Sequence, residues 1–179
     1  MPPDVTIRAA TATDATTLWQ AEVKTAEIPG QLVSRPDELS LAAFENKIRE
    51  LETTGRYLVA VSQEQPVGHA FLEPMTLAAV RHVCRLTVVV HPGQTGRGIG
   101  TALVRELQHW ANSQPAVHKI ELLVRSTNTR ARRLYERLGF GEEGIFRDRV
   151  RLSDGRFVDD VAMAWFSGTA VTKTTGSTS

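Results

Sequence analysis

The chain has a single cysteine, Cys84, so no disulfide forms within it and nothing in its cysteine usage points to an oxidising compartment. It lacks any apolar run near the roughly 18 residues that a membrane span requires. Met1 to Arg8 shows no basic segment followed by an apolar core, so no signal peptide is expected. Charge of one sign is missing too: 21 basic side chains stand against 20 acidic ones, without the basic excess or stripe of a nucleic-acid binder. No grouping of Cys, His, Asp and Glu has metal-ligand spacing, so no metal is expected. These absences point to a cytoplasmic protein whose partners include neither a membrane nor nucleic acid.

What remains is ordinary globular composition. With 179 residues, 41% of them hydrophobic, the chain suffices for one compact domain with a real core. That domain is expected over residues 1–166. The stretch from Ser167 to Ser179 is Ser, Thr, Gly and Ala with one lysine, cannot bury apolar surface, and is expected to stay disordered.

Periodicity predicts alternating strands and helices. Val5 to Ala9 reads as a strand. A helix capped at Thr13 or Asp14 runs to about Ala26, and a loop marked by Pro29, Gly30 and Pro36 leads to a second helix capped by Ser40 and ended by Gly55. Tyr57–Ser62 and Val67–Glu73 read as strands joined by a turn containing Pro66. Val83–Val90 is a third, apolar enough from Leu86 onward to be central. Ile99–Ala111 is an amphipathic helix, Lys119–Val124 a strand, and Asn128–Leu138 a helix closed by Gly139. Gly144–Leu152 and Phe157–Trp165 form a final hairpin. Strands joined by short turns are expected to pair antiparallel, and strands separated by a helix to pair parallel. The predicted fold class is α/β, a central mixed sheet with helices on both faces.

Two segments carry chemistry. The first, His91 to Thr101, reads HPGQTGRGIGT between the apolar strand and the amphipathic helix. Glycines there let a ligand approach the backbone, and the unpaired N–H groups and dipole of the helix start attract an anion. A nucleotide P-loop is excluded, because Gly98 is followed by Ile99 and Gly100 where Lys-Ser or Lys-Thr is needed. A dinucleotide fingerprint is excluded because its third glycine or alanine would fall at Thr101. A glycine-rich turn with no ligand stays open on this segment alone. The second segment, Asn128 to Phe140, reads NTRARRLYERLGF.

In combination, the glycine loop and the Asn128, Ala131, Tyr135, Leu138, Gly139, Phe140 pattern resemble the GNAT-type N-acetyltransferase superfamily. The resemblance covers residues 5 to 165 and implies an acyltransferase with acetyl-CoA as cosubstrate, no metal, and a small-molecule amine as acceptor. Glu143, Gly144, Arg147, Asp154, Gly155, Asp159, Met163 and Ala164 resemble branches that act on small amines, amino acids or antibiotics. A protein N-terminus or lysine as acceptor, and a non-catalytic acyl-CoA sensor, stay open, as does a homodimer. The resemblance places the acyl arm along Val88, Val89 and Val90, with a backbone N–H of Val90 as oxyanion donor. It places pyrophosphate on Gly96, Arg97, Gly98, Ile99, Gly100 and Thr101, and Asn128 against the pantetheine arm. A helix cap is an equally good local reading of Asn128, and the two roles are compatible. Tyr135 is the candidate general acid, since a phenol near ~10 can protonate a thiolate near ~8.5; a core aromatic is its plain alternative.

Two positions depart from the family pattern. Thr95 stands where Gln or Arg opens the glycine loop, with Gln94 beside it. Arg85 stands where many relatives carry a glutamate that holds the deprotonating water. The base is therefore sought among Glu73, the first candidate, and Glu27, Glu22 and His82, or a chain of water. One of Arg130, Arg132, Arg133 and Arg137 is a candidate for the 3′-phosphate, against a solvated face as the plain reading. His91 is expected to shape the loop, and Cys84 to be a buried core residue.

Overall fold

A computed structural model describes residues 4–28 and 32–168. Pro29 and Gly30 of the expected loop, and the tail from residue 169 onward, lie outside the described residues. Seven strands and four α-helices follow in the order β1 (Val5–Ala9), α1 (Ala15–Ala26), α2 (Leu41–Thr54), β2 (Arg56–Ser62), β3 (Gln65–Pro74), β4 (Val83–Val90), α3 (Ile99–Asn112), β5 (Lys119–Arg125), α4 (Thr129–Arg137), β6 (Gly141–Arg151) and β7 (Phe157–Phe166). They build one sheet in the order β1-β2-β3-β4-β5-β7-β6, and only β4 and β5 pair parallel.

The alternation of β2 shows how the layers arise. Leu58 and Ala60 point into a core shared with Leu103, Val104 and Leu107 of α3, while Tyr57 and Val59 point into a second core with Leu18 of α1 and Phe44, Ile48 and Leu51 of α2. Helices thus cover both faces, α1 and α2 on one, α3 and α4 on the other. Ser40 caps α2 by accepting from the Ala43 amide at 3.3 Å, and Trp19 Nε1–H donates to the Leu39 carbonyl at 3.1 Å, fastening α1 to the segment before α2. The start of α3 lies directly on β3: a Cβ on Gly68 would come within 3.1 Å of the Val89 carbonyl and 3.2 Å of Ile99 Cγ2. A side chain there would crowd both.

Three expectations from connectivity are corrected. β1 and β2 pair antiparallel although helices separate them. One helix returns a chain to the end where its strand began; two in succession return it to the end where the strand finished. β6 does not neighbour β5, because β7 lies between them. The reason is burial: β7 places Val158, Val161, Met163 and Ala164 in the interior, whereas β6, rich in Glu, Arg and Asp, is exposed along most of its length and takes the edge. Pro66 lies within β3 at an irregularity opposite Val61, and the turn is made by Gln63 and Glu64, both with positive φ (48° and 63°).

Candidate active site

The parallel pairing of β4 with β5 is brief. Val83, Cys84 and Arg85 pair with Lys119, Ile120 and Glu121, and then the two strands part. From Leu86 to Val90, β4 keeps its antiparallel partner β3 on one side and has an open seam on the other. The His91 amide donates to the Val67 carbonyl on the β3 side at 3.1 Å. Because backbone N–H groups alternate in direction along a strand, the Val90 N–H points the opposite way, into the seam.

A cleft of about 470 Å³ occupies this opening, with Val88, Val89 and Val90 on one wall and Leu122, Val124 and Arg125 on the other. A second cleft, about 610 Å³, shares Leu86, Thr87, Leu122, Leu123 and Arg149 with it, so the seam is continuous through both.

The glycine loop follows directly on Val90, the last β4 residue of the cleft wall. Gly96 (φ 90°) and Gly98 (φ 78°) adopt the left-handed conformation that side chains resist, and Gly98 is the N-cap of α3. The first intrahelical bond runs from the Ala102 amide to the Gly98 carbonyl at 3.0 Å. The N–H groups of Ile99, Gly100 and Thr101 precede it, and helix geometry gives them no acceptor within α3. Gly100 sits where a Cβ would lie 3.5 Å from Val90 Cγ2 and 3.6 Å from Leu134 Cδ1, so the loop, β4 and α4 meet at one point. Arg97 turns its guanidinium away to Asp4 (3.2 Å) and Gln94, leaving its backbone to the loop. Arg130 is the arginine that α4 delivers: its Nη2 lies 3.2 Å from where a Cβ on Gly96 would be.

Asn128 and Tyr135 enter the same cleft from α4. Asn128 Oδ1 accepts from the Ala131 amide at 3.1 Å. This uses the acceptor as a helix cap and leaves the amide NH₂ as a donor. Tyr135 packs against Phe140 (5.6 Å between ring centres), and burial pushes its phenol up to about 12, so it keeps its proton well above neutrality.

The remaining wall comes from Glu22 and Thr25 of α1, from Leu32, Val33 and Ser34, and from Arg149, Val150 and Asp160 of the last hairpin. Burial raises the Asp160 carboxyl, opposed by Arg125 and Arg149.

Val88–Val90, Asn128 and Tyr135 are therefore brought together beside the loop of residues 96–101. Glu73 is not: it stands opposite Arg85 in the register, three residues before Val88, and is bound to Lys47 of α2. At about 3.3 Å per residue that displacement is some 10 Å along the strand, and the first base candidate lies outside the cleft lining. Glu27 is exposed at the end of α1, and His82 is exposed before β4. Only Glu22 of the four base candidates lines the cleft. The sequence reading passed over His69, a fully buried histidine that contacts Glu22; its sole local sign is a titratable side chain at an inward position of an apolar strand. Cys84 is buried in the core, and desolvation raises its thiol to about 11. Among the described residues no group of three or more His, Cys, Asp and Glu is placed to hold a metal ion, and no helix is long and apolar enough to cross a membrane.

Comparison with known proteins bears on this geometry. The model of the acetyltransferase (GNAT) family matches residues 17–140. The L-amino acid N-acetyltransferase AaaT of Escherichia coli strain K12 is 30% identical over 109 residues, 61% of this chain and 67% of that protein. The N-alpha-acetyltransferase RimI of Mycobacterium tuberculosis is 33% identical over 150 residues, 83% of this chain and 86% of that one. Among solved structures, a phosphinothricin acetyltransferase from Sinorhizobium meliloti in complex with AcCoA superimposes with a TM-score of 0.85 at 21% identity, covering 97% of this chain and 95% of that one.

Proposed function

The chain belongs to the acetyltransferase (GNAT) family, and from that premise we propose that it moves an acetyl group from acetyl-CoA to the primary amine of a small molecule, an amino acid or an amine-bearing toxin or antibiotic. Residues 1–166 are the catalytic domain in this reading, and a cytoplasmic setting suits both the cosubstrate and the lone buried thiol. The observation that carries it is the open seam: three paired residues, then a free strand edge that leads to the glycine loop, with Tyr135 beside it.

The residues present fit the cosubstrate. The N–H groups of residues 99–101 and the guanidinium of Arg130 supply positive potential where a pyrophosphate would lie, and a side chain at Gly96 would obstruct that cradle. The free edge of Val88–Val90 offers backbone donors and acceptors to an amide-bearing arm, and the Asn128 amide NH₂ reaches the same space. Acetyl-CoA contributes the activated thioester. The Val90 N–H, aimed into the seam, stabilises the negative charge that develops on the carbonyl oxygen. Tyr135, protonated throughout the neutral range, gives its proton to the departing sulfur.

Supporting a small acceptor are the size of the two clefts, about 470 and 610 Å³, and the names of two similar proteins, one acting on L-amino acids and one on phosphinothricin. The similarity to RimI favours a second reading, a protein N-terminus as acceptor. The test is release of free thiol from acetyl-CoA with a panel of amino acids, small amines and short peptides. Amine-dependent release with a small-molecule acceptor is expected. Release with peptides alone would select the second reading, and binding of acetyl-CoA without transfer to any amine would leave a sensor.

A further inference from the structure

His69 is fully buried on β3. Both ring nitrogens have partners: Nε2 lies 3.0 Å from Glu22 Oε2, and Nδ1 lies 3.3 Å from His91 Nε2. His91 Nδ1 in turn lies 3.0 Å from the Pro66 carbonyl oxygen. The chain therefore begins at a backbone acceptor and ends at a carboxylate in the cleft.

Hydrogen-bond accounting along this chain decides where the protons are. A carbonyl oxygen only accepts, so His91 Nδ1 carries a hydrogen. His91 is buried, and desolvation together with the neighbouring His69 lowers it to about 4, so it is neutral and its Nε2 is a bare acceptor. His69 Nδ1 must then carry a hydrogen to donate to it. At the other nitrogen a proton lies between His69 Nε2 and Glu22 Oε2, as imidazolium facing carboxylate or as imidazole facing carboxylic acid. Only with that hydrogen on His69 is Glu22 a carboxylate able to accept a further proton, and it accepts it on Oε1, the oxygen that does not face His69. The other groups near His69 leave that count unchanged. Tyr57, with its ring centre at 5.8 Å, is held protonated by burial, and Phe44, at 6.3 Å, is apolar. Asp14, which acts on Tyr57, is itself paired with Arg8.

We infer that Glu22 is the carboxylate that takes the proton from the acceptor amine, and that His69, oriented by His91 and the Pro66 carbonyl, is the positioning residue that holds Glu22 toward the cleft. This rests on the N-acetyltransferase reading. Glu22 lines the cleft with Val88–Val90 and Tyr135 and is 13% exposed, enough to meet a substrate and not enough to be lost in water. In the step, the acceptor ammonium loses one proton to Glu22, which frees its lone pair, and a second N–H proton leaves for water once the C–N bond has formed. The nitrogen lone pair forms the new C–N bond, and the C–S bond breaks with its electron pair on sulfur. Tyr135 supplies the proton for that sulfur. Glu22 releases its proton to water and Tyr135 regains one, so the cycle balances. The arrangement also accounts for the absence of a glutamate at Arg85: the carboxylate is supplied from α1.

The experiment compares wild type with Glu22→Gln, His69→Gln and His69→Phe, measuring acetyl transfer to the best amine from pH 6.5 to 9.5 and acetyl-CoA binding separately. Glu22→Gln is expected to lower kcat at neutral pH by about a hundredfold or more. Acetyl-CoA affinity should hold within about twofold, and the loss should shrink toward high pH as the amine arrives already neutral. His69→Gln, which keeps one donor, should lower kcat by about tenfold with KM nearly unchanged, and His69→Phe should fall to the level of Glu22→Gln. Nitrogen NMR of histidine-labelled wild type should show His91 as the neutral Nδ1–H form and His69 with Nδ1 protonated. An active Glu22→Gln enzyme with the wild-type pH profile, or a His69 whose Nδ1 is bare, overturns the inference. The spectrum needs no variant, so it decides on the shared proton even where a substituted chain does not fold. A wild type that binds acetyl-CoA and acetylates no amine removes the N-acetyltransferase reading instead, and the catalytic role of Glu22 falls with it.

Discussion

The two edges of strand β4 have opposite fates. Toward β3 it forms seven register pairs, from Gly68–Val90 to Pro74–Cys84; toward β5 it forms three and then separates. Side chains on both sides of the strand are mostly apolar, so hydrophobicity does not distinguish the edges. What distinguishes them is the fate of the backbone. On the closed edge, N–H and C=O groups satisfy one another and the neighbouring side chains fill the core. On the open edge they face a cleft, where unmatched polar groups are tolerable only with water or a ligand as partner. One strand thus serves stability on one side and chemistry on the other.

Substitutions can break that division, and the largest expected effect lies on the closed side. Leu72→Ala removes a side chain with no exposure and should cost about 2–5 kcal/mol in urea unfolding. The folded fraction should still bind acetyl-CoA normally; a binding loss in excess of the unfolding would show that the edges are coupled. On the open side, Tyr135→Phe should lower acetyl transfer by about tenfold to a hundredfold with unfolding and acetyl-CoA affinity little changed. Because burial holds the Tyr135 phenol near 12, its acid form is lost only as pH rises through that value. A wild-type rate that falls between about pH 8 and 9 and loses that fall in Tyr135→Phe would keep the acid and contradict the raised phenol, whereas the same fall in both would belong to another group.

Smaller effects sharpen the picture of the loop. Gly96→Ala forces a side chain into φ 90° and toward Arg130, and the left-handed penalty of about 1–2 kcal/mol should appear as roughly tenfold weaker acetyl-CoA binding in calorimetry. Asn128→Ala removes the cap on Ala131 and should cost about 1 kcal/mol in thermal unfolding, together with some acetyl-CoA affinity. Least is expected of Lys47→Ala. It breaks a half-exposed pair with Glu73 worth no more than about 1 kcal/mol, far from the seam, and a melting curve should barely register it.

Much of this was legible without coordinates. The hydrophobic periods placed every helix and strand to within a few residues, and the glycine loop and the Asn128–Tyr135 spacing named the segments that the structure brings together. The partner of Glu73 was not legible, because a glutamate near the end of a strand gives no local sign of it, and that partner, Lys47, lies 26 residues away on α2. His69 was missed for a related reason: inside Val-Gly-His-Ala-Phe it looks like one more inward residue of a strand.

The sequence by itself determined the secondary elements, the left-handed glycines and the family, because these depend on short-range sterics and on spacing within a dozen residues. The tertiary structure alone decided the placement of β7 inside β6, the opening of β4 from β5, the position of Arg130 beside Gly96, and the contact of Glu22 with a histidine 47 residues further on. Those outcomes depend on which backbone groups and which buried charges find partners across the fold. That competition is resolved only when distant segments pack, since no local pattern encodes the neighbour a polar group will meet.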